Sequence, residues 1–196
     1  MAGWVCYDAG QHGLAQRYCI AALRAAHAGD DRPLLAQLYI QQAHAFAALK
    51  DTSACTAAIS QARTHVERSV KGDDPSYLYW VRPAEITASA GECLLQLGQA
   101  DRAVTLLDQG IVMFDAPFDR DRQYYLTHLA EALARPGKQC NLDAAAGKGI
   151  EAIHLAESLS STLSVDRVSS PSRQLKLHAK LPAVQEFLER VKGFVQ

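Results

Sequence analysis

One spacing occurs four times along this 196-residue chain: a small residue, a turn residue seven positions later, then small residues five and twelve positions beyond the turn. Gly3, Gly10, Ala15 and Ala22 set the pattern, and Ala43, Lys50, Cys55 and Ala62 repeat it. Gly91, Gly98, Ala103 and Gly110 form the third unit; Ala130, Gly137, Ala145 and Ala152 form the fourth, with three further residues in its turn. Seven residues is about two helical turns, so each small pair lies on one helix face. Small side chains there let two antiparallel helices approach closely, and the turn position suits a left-handed backbone. Large apolar residues fill the gaps: Tyr18 and Leu23, Phe46 and Ile59, Leu94 and Leu107, Leu133 and Ile153. One helix pair cannot bury its own face, so stacked pairs share a core. The expectation is an all-α fold, a right-handed superhelical array of antiparallel helix pairs in one domain over 1–196. An irregular helical bundle is the alternative.

The segments GQHGLAQRYCIAAL, ALKDTSACTAAISQA and LGQADRAVTLLDQGI resemble the turn and second helix of the tetratricopeptide repeat. The usual period of that family is about 34 residues. Here Gly10, Lys50, Gly98 and Gly137 are spaced more widely, so longer helices or inserted loops must absorb the excess. The repeats fall at about 1–28, 33–70, 82–114 and 119–160, with a terminal helical pair at about 162–194. The helices within them are expected at 2–9 and 13–28, 33–49 and 52–70, 82–97 and 100–114, 119–135 and 142–160, then 162–179 and 182–194. Acidic residues ahead of Pro33 mark one helix start, and Pro182 opens the last helix. Pro171 should break or kink the first helix of the terminal pair.

AGWVCYDAGQHGLAQRYCIAALRAAHAGDD, RDRQYYLTHLAEAL and HAKLPAVQEFLERVK are similar in helical texture to the C-terminal half of certain actinobacterial helix-turn-helix transcriptional regulators. SVDRVSSPSRQL departs from the unbroken charged helix more usual there. The resemblance implies the sensing or regulatory part of such a regulator, here without its DNA-binding domain. Trp4, Val5 and Tyr7 stand almost at the start, where a polar capping element is usual. An excised domain and a short native start both account for this.

A net charge of −1 with a pI near 6.6 leaves no electrostatic footprint for direct nucleic-acid binding. No segment approaches the ~18 consecutive apolar residues of a membrane span. Five cysteines without a C-x-x-C pair read as reduced, buried thiols of a cytoplasmic protein. None of the seven histidines has a ligand-grade partner at helical spacing, so no metal or other cofactor is expected. No catalytic signature surrounds any cysteine, and the chain is expected not to be an enzyme. Asp119-Arg120-Asp121-Arg122 is expected to cap a helix and bridge to the next repeat. Ala145-Ala146-Gly147-Lys148-Gly149 lacks the spacing of a phosphate loop and falls mid-helix. Tyr77, Tyr79 and Trp80, after Asp73-Asp74-Pro75, either plug the end of the array or form a binding lip.

Tetratricopeptide arrays bind extended peptides on the face lined by the first helix of each pair. Mapped onto this chain, that face carries Trp4, Tyr7 and Asp8, then Gln37, Ile40, His44 and Ala48, then Glu85, Ala88, Glu92 and Gln96, then Tyr124, Thr127 and Glu131. With aromatics at its ends, acids in its middle and no basic residue, it suits a protein or peptide partner with a cationic or hydrogen-bonding segment. Ordinary solvated side chains on a groove are the alternative. Self-association through an exposed end of the array, giving a homo-oligomer or a scaffold, is the second functional reading.

Overall fold

The computed structural model describes residues 2–69, 78–115, 118–159 and 169–195, and every regular element among them is helical. By packing, the chain divides into two compact units, Met1–Gly98 and Gln99–Gln196. The division falls between the two helices of the third repeat.

The first unit holds α1 (Ala2–Asp8), α2 (His12–Gly29), α3 (Arg32–Ala48), α4 (Thr52–Glu67) and α5 (Pro83–Gln96). Helices α1 and α2, and α3 and α4, pack as pairs across short turns, with α5 against both α3 and α4. Two of those turns close where the repeat spacing places them, at Gly10 (φ 73°) and Lys50 (φ 63°). The Lys50 turn brings the Asp51 amide onto the Phe46 carbonyl at 3.0 Å. Asp51 then caps α4 by accepting from the Ala54 amide at 3.0 Å, as Asp31 caps α3 by accepting from Leu34 at 3.1 Å. The small positions Ala15, Ala43, Cys55 and Ala62 are buried, as close helix packing requires. Cys55 hydrogen-bonds Cys93 in this core, where burial pushes the Cys93 thiol well above its ordinary range. Cysteine burial is not general: Cys6 is half-buried and Cys140 exposed, because both stand at helix ends or turns.

The second unit holds α6 (Ala100–Val112), α7 (Asp119–Ala134), α8 (Leu142–Leu159), a short α9 (Ser172–Leu175) running into a 3₁₀ turn (Lys176–His178), and α10 (Pro182–Val195). Helix α7 packs on α6 and α8, and α10 packs on α8. Leu107, Leu126, Leu129, Ile153, Leu175, Val184 and Phe187 form its core, with Ala103, Ala130, Ala145 and Ala152 buried at the repeat positions. The apolar wall of α10 meets α8 at Gly149, where a Cβ would lie 2.7 Å from Cδ2 of Phe187. The glycine in Ala145–Gly149 therefore admits an aromatic ring, and this segment is helical throughout.

Three expectations need correction here. The helix expected at 162–179, broken or kinked at Pro171, is shorter in its described part: only 172–175, directly after Pro171, is α-helical before the chain tightens into the 3₁₀ turn. Residues 162–168 of that span lie outside the described residues, as do Asp73, Asp74, Pro75 and Tyr77. Arg122 of the Asp119–Arg122 segment is not turned to a following repeat. Arg122 binds Glu151 at 2.9 Å on α8, its own partner helix, and Lys148 joins the same carboxylate at 3.0 Å. The turn at Gly137 is also of another kind, since Gly137 has no left-handed backbone. It lies instead against the Asp101 carboxylate, where a Cβ would come within 2.6 Å of an oxygen.

That carboxylate holds the turn. Asp101 accepts from the Gln139 amide at 2.7 Å, and the Gln139 side chain donates to the Asp101 carbonyl at 2.7 Å and to Thr105 Oγ1 at 3.0 Å. The backbone amides of Gln139 and Lys138 hold the Asp101 carboxyl below its ordinary 3.8. A depressed value in the fold stabilises the turn above the unfolded carboxyl's range, and this contribution is lost as pH falls through the folded value. The protection of the Gln139 amide, its exchange measured against that of an unstructured amide at the same pH, is therefore expected to fall below about pH 4 in the parent chain. In Asp101→Asn protection should be low already at neutral pH and change little on acidification; a parent-like profile in that variant would exclude this cause.

Candidate functional site

In the first unit three helices converge on one half-open place. Trp4 and Tyr7 stand one turn apart on α1, so their rings meet edge to face with centroids 5.6 Å apart. Both face the His44 ring of α3, at 5.3 Å from Trp4 and 5.9 Å from Tyr7. From α5, Glu92 places Oε1 4.0 Å from His44 Nδ1, and Gln96, one turn on, accepts the Tyr7 hydroxyl at 3.3 Å. His12 closes the far side of Tyr7 at 5.2 Å. The imidazole is 2% exposed and the two rings are half-buried, so the place is desolvated at its floor and open at its rim. Burial, with some help from the Glu92 charge and against the Gln96 hydrogen bond, pushes the Tyr7 phenol up to about 12. At any physiological pH Tyr7 is therefore a neutral donor.

Chemically the place offers two aromatic faces, a neutral hydroxyl, an imidazole and a carboxylate. Aromatic rings with an acid beside them suit a cationic or amide-bearing side chain. Among the described residues no group of three or more metal-ligating side chains occurs.

The other expected residues are placed as follows. Asp8 is exposed at the end of α1, and Glu85 accepts from Ser89 at 3.3 Å. Gln37 is buried, with Oε1 unpartnered among the described residues, and it presents no side chain to solvent. In the second unit Tyr124 packs edge-on to His128 at 4.6 Å and against Tyr125 at 5.0 Å. Thr127 is buried and donates to the Gln123 carbonyl at 3.1 Å, so it too is packed rather than presented. Glu131 is held by Arg135 on the next turn and accepts from Ser170 at 3.3 Å. Two cations reach this set from a helix end and a turn: Arg135 pairs with Glu131, and Lys50 donates to the Gln96 carbonyl of α5.

His12, Lys50 and Arg135 were not among the expected site residues. Arg135 was legible as an i, i+4 partner of Glu131. The Tyr7–Gln96 contact joins residues 89 positions apart and has no local sequence signal.

Neither the protein-family models nor the curated proteins contain a match to this chain. Two crystal structures do match: the nearly identical TPR-like repeats of a Podosopora anserina protein described as a kinesin light chain, one of them a single-substitution variant. Each is 16% identical over 98% of this chain and 91% of the other, with a TM-score of 0.58. The chain thus has the fold of a TPR-like helical repeat.

Proposed function

We propose that this chain is a non-catalytic peptide-binding module whose anchor is the cluster of Trp4, Tyr7, His44 and Glu92. The observation that carries the reading is the convergence of these side chains from three helices into one partly open, partly desolvated place. Buried aromatics surrounded by polar groups dominate the energy of protein recognition. The partner is an extended segment whose cationic or amide side chain lies over the rings and meets Glu92. Tyr124 with His128 offers a second aromatic contact of the same kind in the other unit.

The narrower reading, the sensing part of a transcriptional regulator, is supported only by the helical texture of the segments quoted above. Five free thiols fit a reducing cytoplasm, and no helix among the described residues is long and apolar enough to cross a membrane.

The test uses peptides selected on the whole chain from a random library and titrated against variants. Tyr7→Ala should weaken the selected peptide roughly ten-fold, about 1.4 kcal/mol. Glu92→Lys should act mainly on the association rate, and its effect should shrink as salt rises. Arg63→Ala, on α4, should stay within about two-fold, a few tenths of a kcal/mol. Equal losses for Arg63→Ala and Tyr7→Ala would place the contact on another surface.

A further inference from the structure

A cleft of about 810 Å³ opens in the second unit between the α9–3₁₀ segment and α10. Its size falls inside the ~300–1,000 Å³ range of small-molecule sites. On one side stand Arg173 and Lys176; on the other, Leu188, Val191 and Lys192 occupy i, i+3 and i+4 positions of one α10 face. The wall is therefore apolar and the polar edge is basic. No carboxylate lines it among the described residues, and none of the three cations has an ion pair there.

The charge is local. Residues 169–195 carry five Lys or Arg (Arg173, Lys176, Lys180, Arg190, Lys192) against Glu186 and Glu189, a surplus of three, while the whole chain is at −1. Glu189 is turned to Gln185 of its own helix at 3.2 Å, and Arg190 to His154 at 3.1 Å. Arg173, Lys176 and Lys192 are left to the cleft.

From these features we infer that the cleft binds a small amphipathic anion, a carboxylate or phosphate monoester on an apolar chain. The head group meets Arg173, Lys176 and Lys192, while the chain lies on Leu188 and Val191. Charge-assisted bonds fix the head, and burial of the chain supplies the remaining affinity. The site is independent of the peptide-binding cluster in the first unit.

The experiment is calorimetric titration of the full chain with dodecanoate and with dodecyl phosphate, each kept below its micelle concentration. Dodecyltrimethylammonium and inorganic phosphate serve as controls. Saturable binding at one site per chain is expected for at least one of the two anions, and whichever binds more tightly identifies the head group. The cationic amphiphile should not bind, and inorganic phosphate should bind at least ten-fold more weakly. Lys176→Glu with Lys192→Glu, both exposed positions, should lower affinity at least ten-fold. The proposal is overturned if neither anion binds saturably, if the cationic amphiphile binds as well, or if the double variant keeps parent affinity. Binding only to vesicles containing phosphatidylserine, with none to the monomeric anions, would also overturn it.

Discussion

Phe187→Ala is expected to lower the stability of the second unit by about 3–5 kcal/mol, the range for removing a large buried ring. The ring is fully buried and meets α8 where Gly149 leaves room for it. The same contact predicts the behaviour of Gly149→Ala. In an open helix that change would gain up to ~1 kcal/mol of helix propensity. Here the new methyl would overlap the Phe187 ring, so the variant should be less stable than the parent. Combined with Phe187→Ala, the overlap disappears and Gly149→Ala should become neutral or favourable. Chemical denaturation followed by circular dichroism gives the four corners of this cycle, with a coupling of about 1–3 kcal/mol. Additivity within about 0.5 kcal/mol would mean that α8 and α10 do not meet at these residues.

Ala103→Trp is expected to cost roughly 3 kcal/mol, at the upper end of the usual ~1–3 kcal/mol for overpacking. Ala103 is fully buried on α6, whose partner α7 brings Ala130, the small residue of its own repeat, into the same core. A bicyclic ring cannot enter without moving a helix. Ala103→Ser, which adds one small hydroxyl, should cost less, so the pair separates a steric effect from a general sensitivity of α6. A tryptophan variant melting within a degree of the parent would show that position 103 does not lie in a close helix contact.

The helical frame was legible because its signals are local. The positions that close α1 and α3, Gly10 and Lys50, follow from the repeat spacing, and both adopt the left-handed backbone expected of them. Asp31 and Asp51 announce the starts of α3 and α4 through their own side chains. Gly137 misled, since its small size answers to Asp101, 36 positions away, and not to its own backbone angle. Local spacing likewise placed Trp4 beside Tyr7 and Tyr124 on the first helix of its pair. Which of the inner positions face solvent was not legible. Gln37, Thr127 and His44 all share the expected face, yet all are buried, because burial depends on what other helices lay over them. The convergence on Tyr7 is long-range in the same sense: His44 and Gln96 arrive from α3 and α5, and only the packed unit brings them together.

The central claim is that the cluster around Tyr7 is where a peptide partner is held, and the two tryptophans allow a direct reading of it. Trp4 belongs to the cluster, whereas Trp80 stands just ahead of α5. Their indole N–H resonances can be followed in one NMR titration of the whole chain with a selected peptide. The Trp4 indole and the His44 ring signals should shift saturably, with a midpoint equal to the dissociation constant from calorimetry, while the Trp80 indole stays in place. Saturable binding that leaves Trp4 and His44 unmoved would contradict the assignment of this cluster as the peptide site.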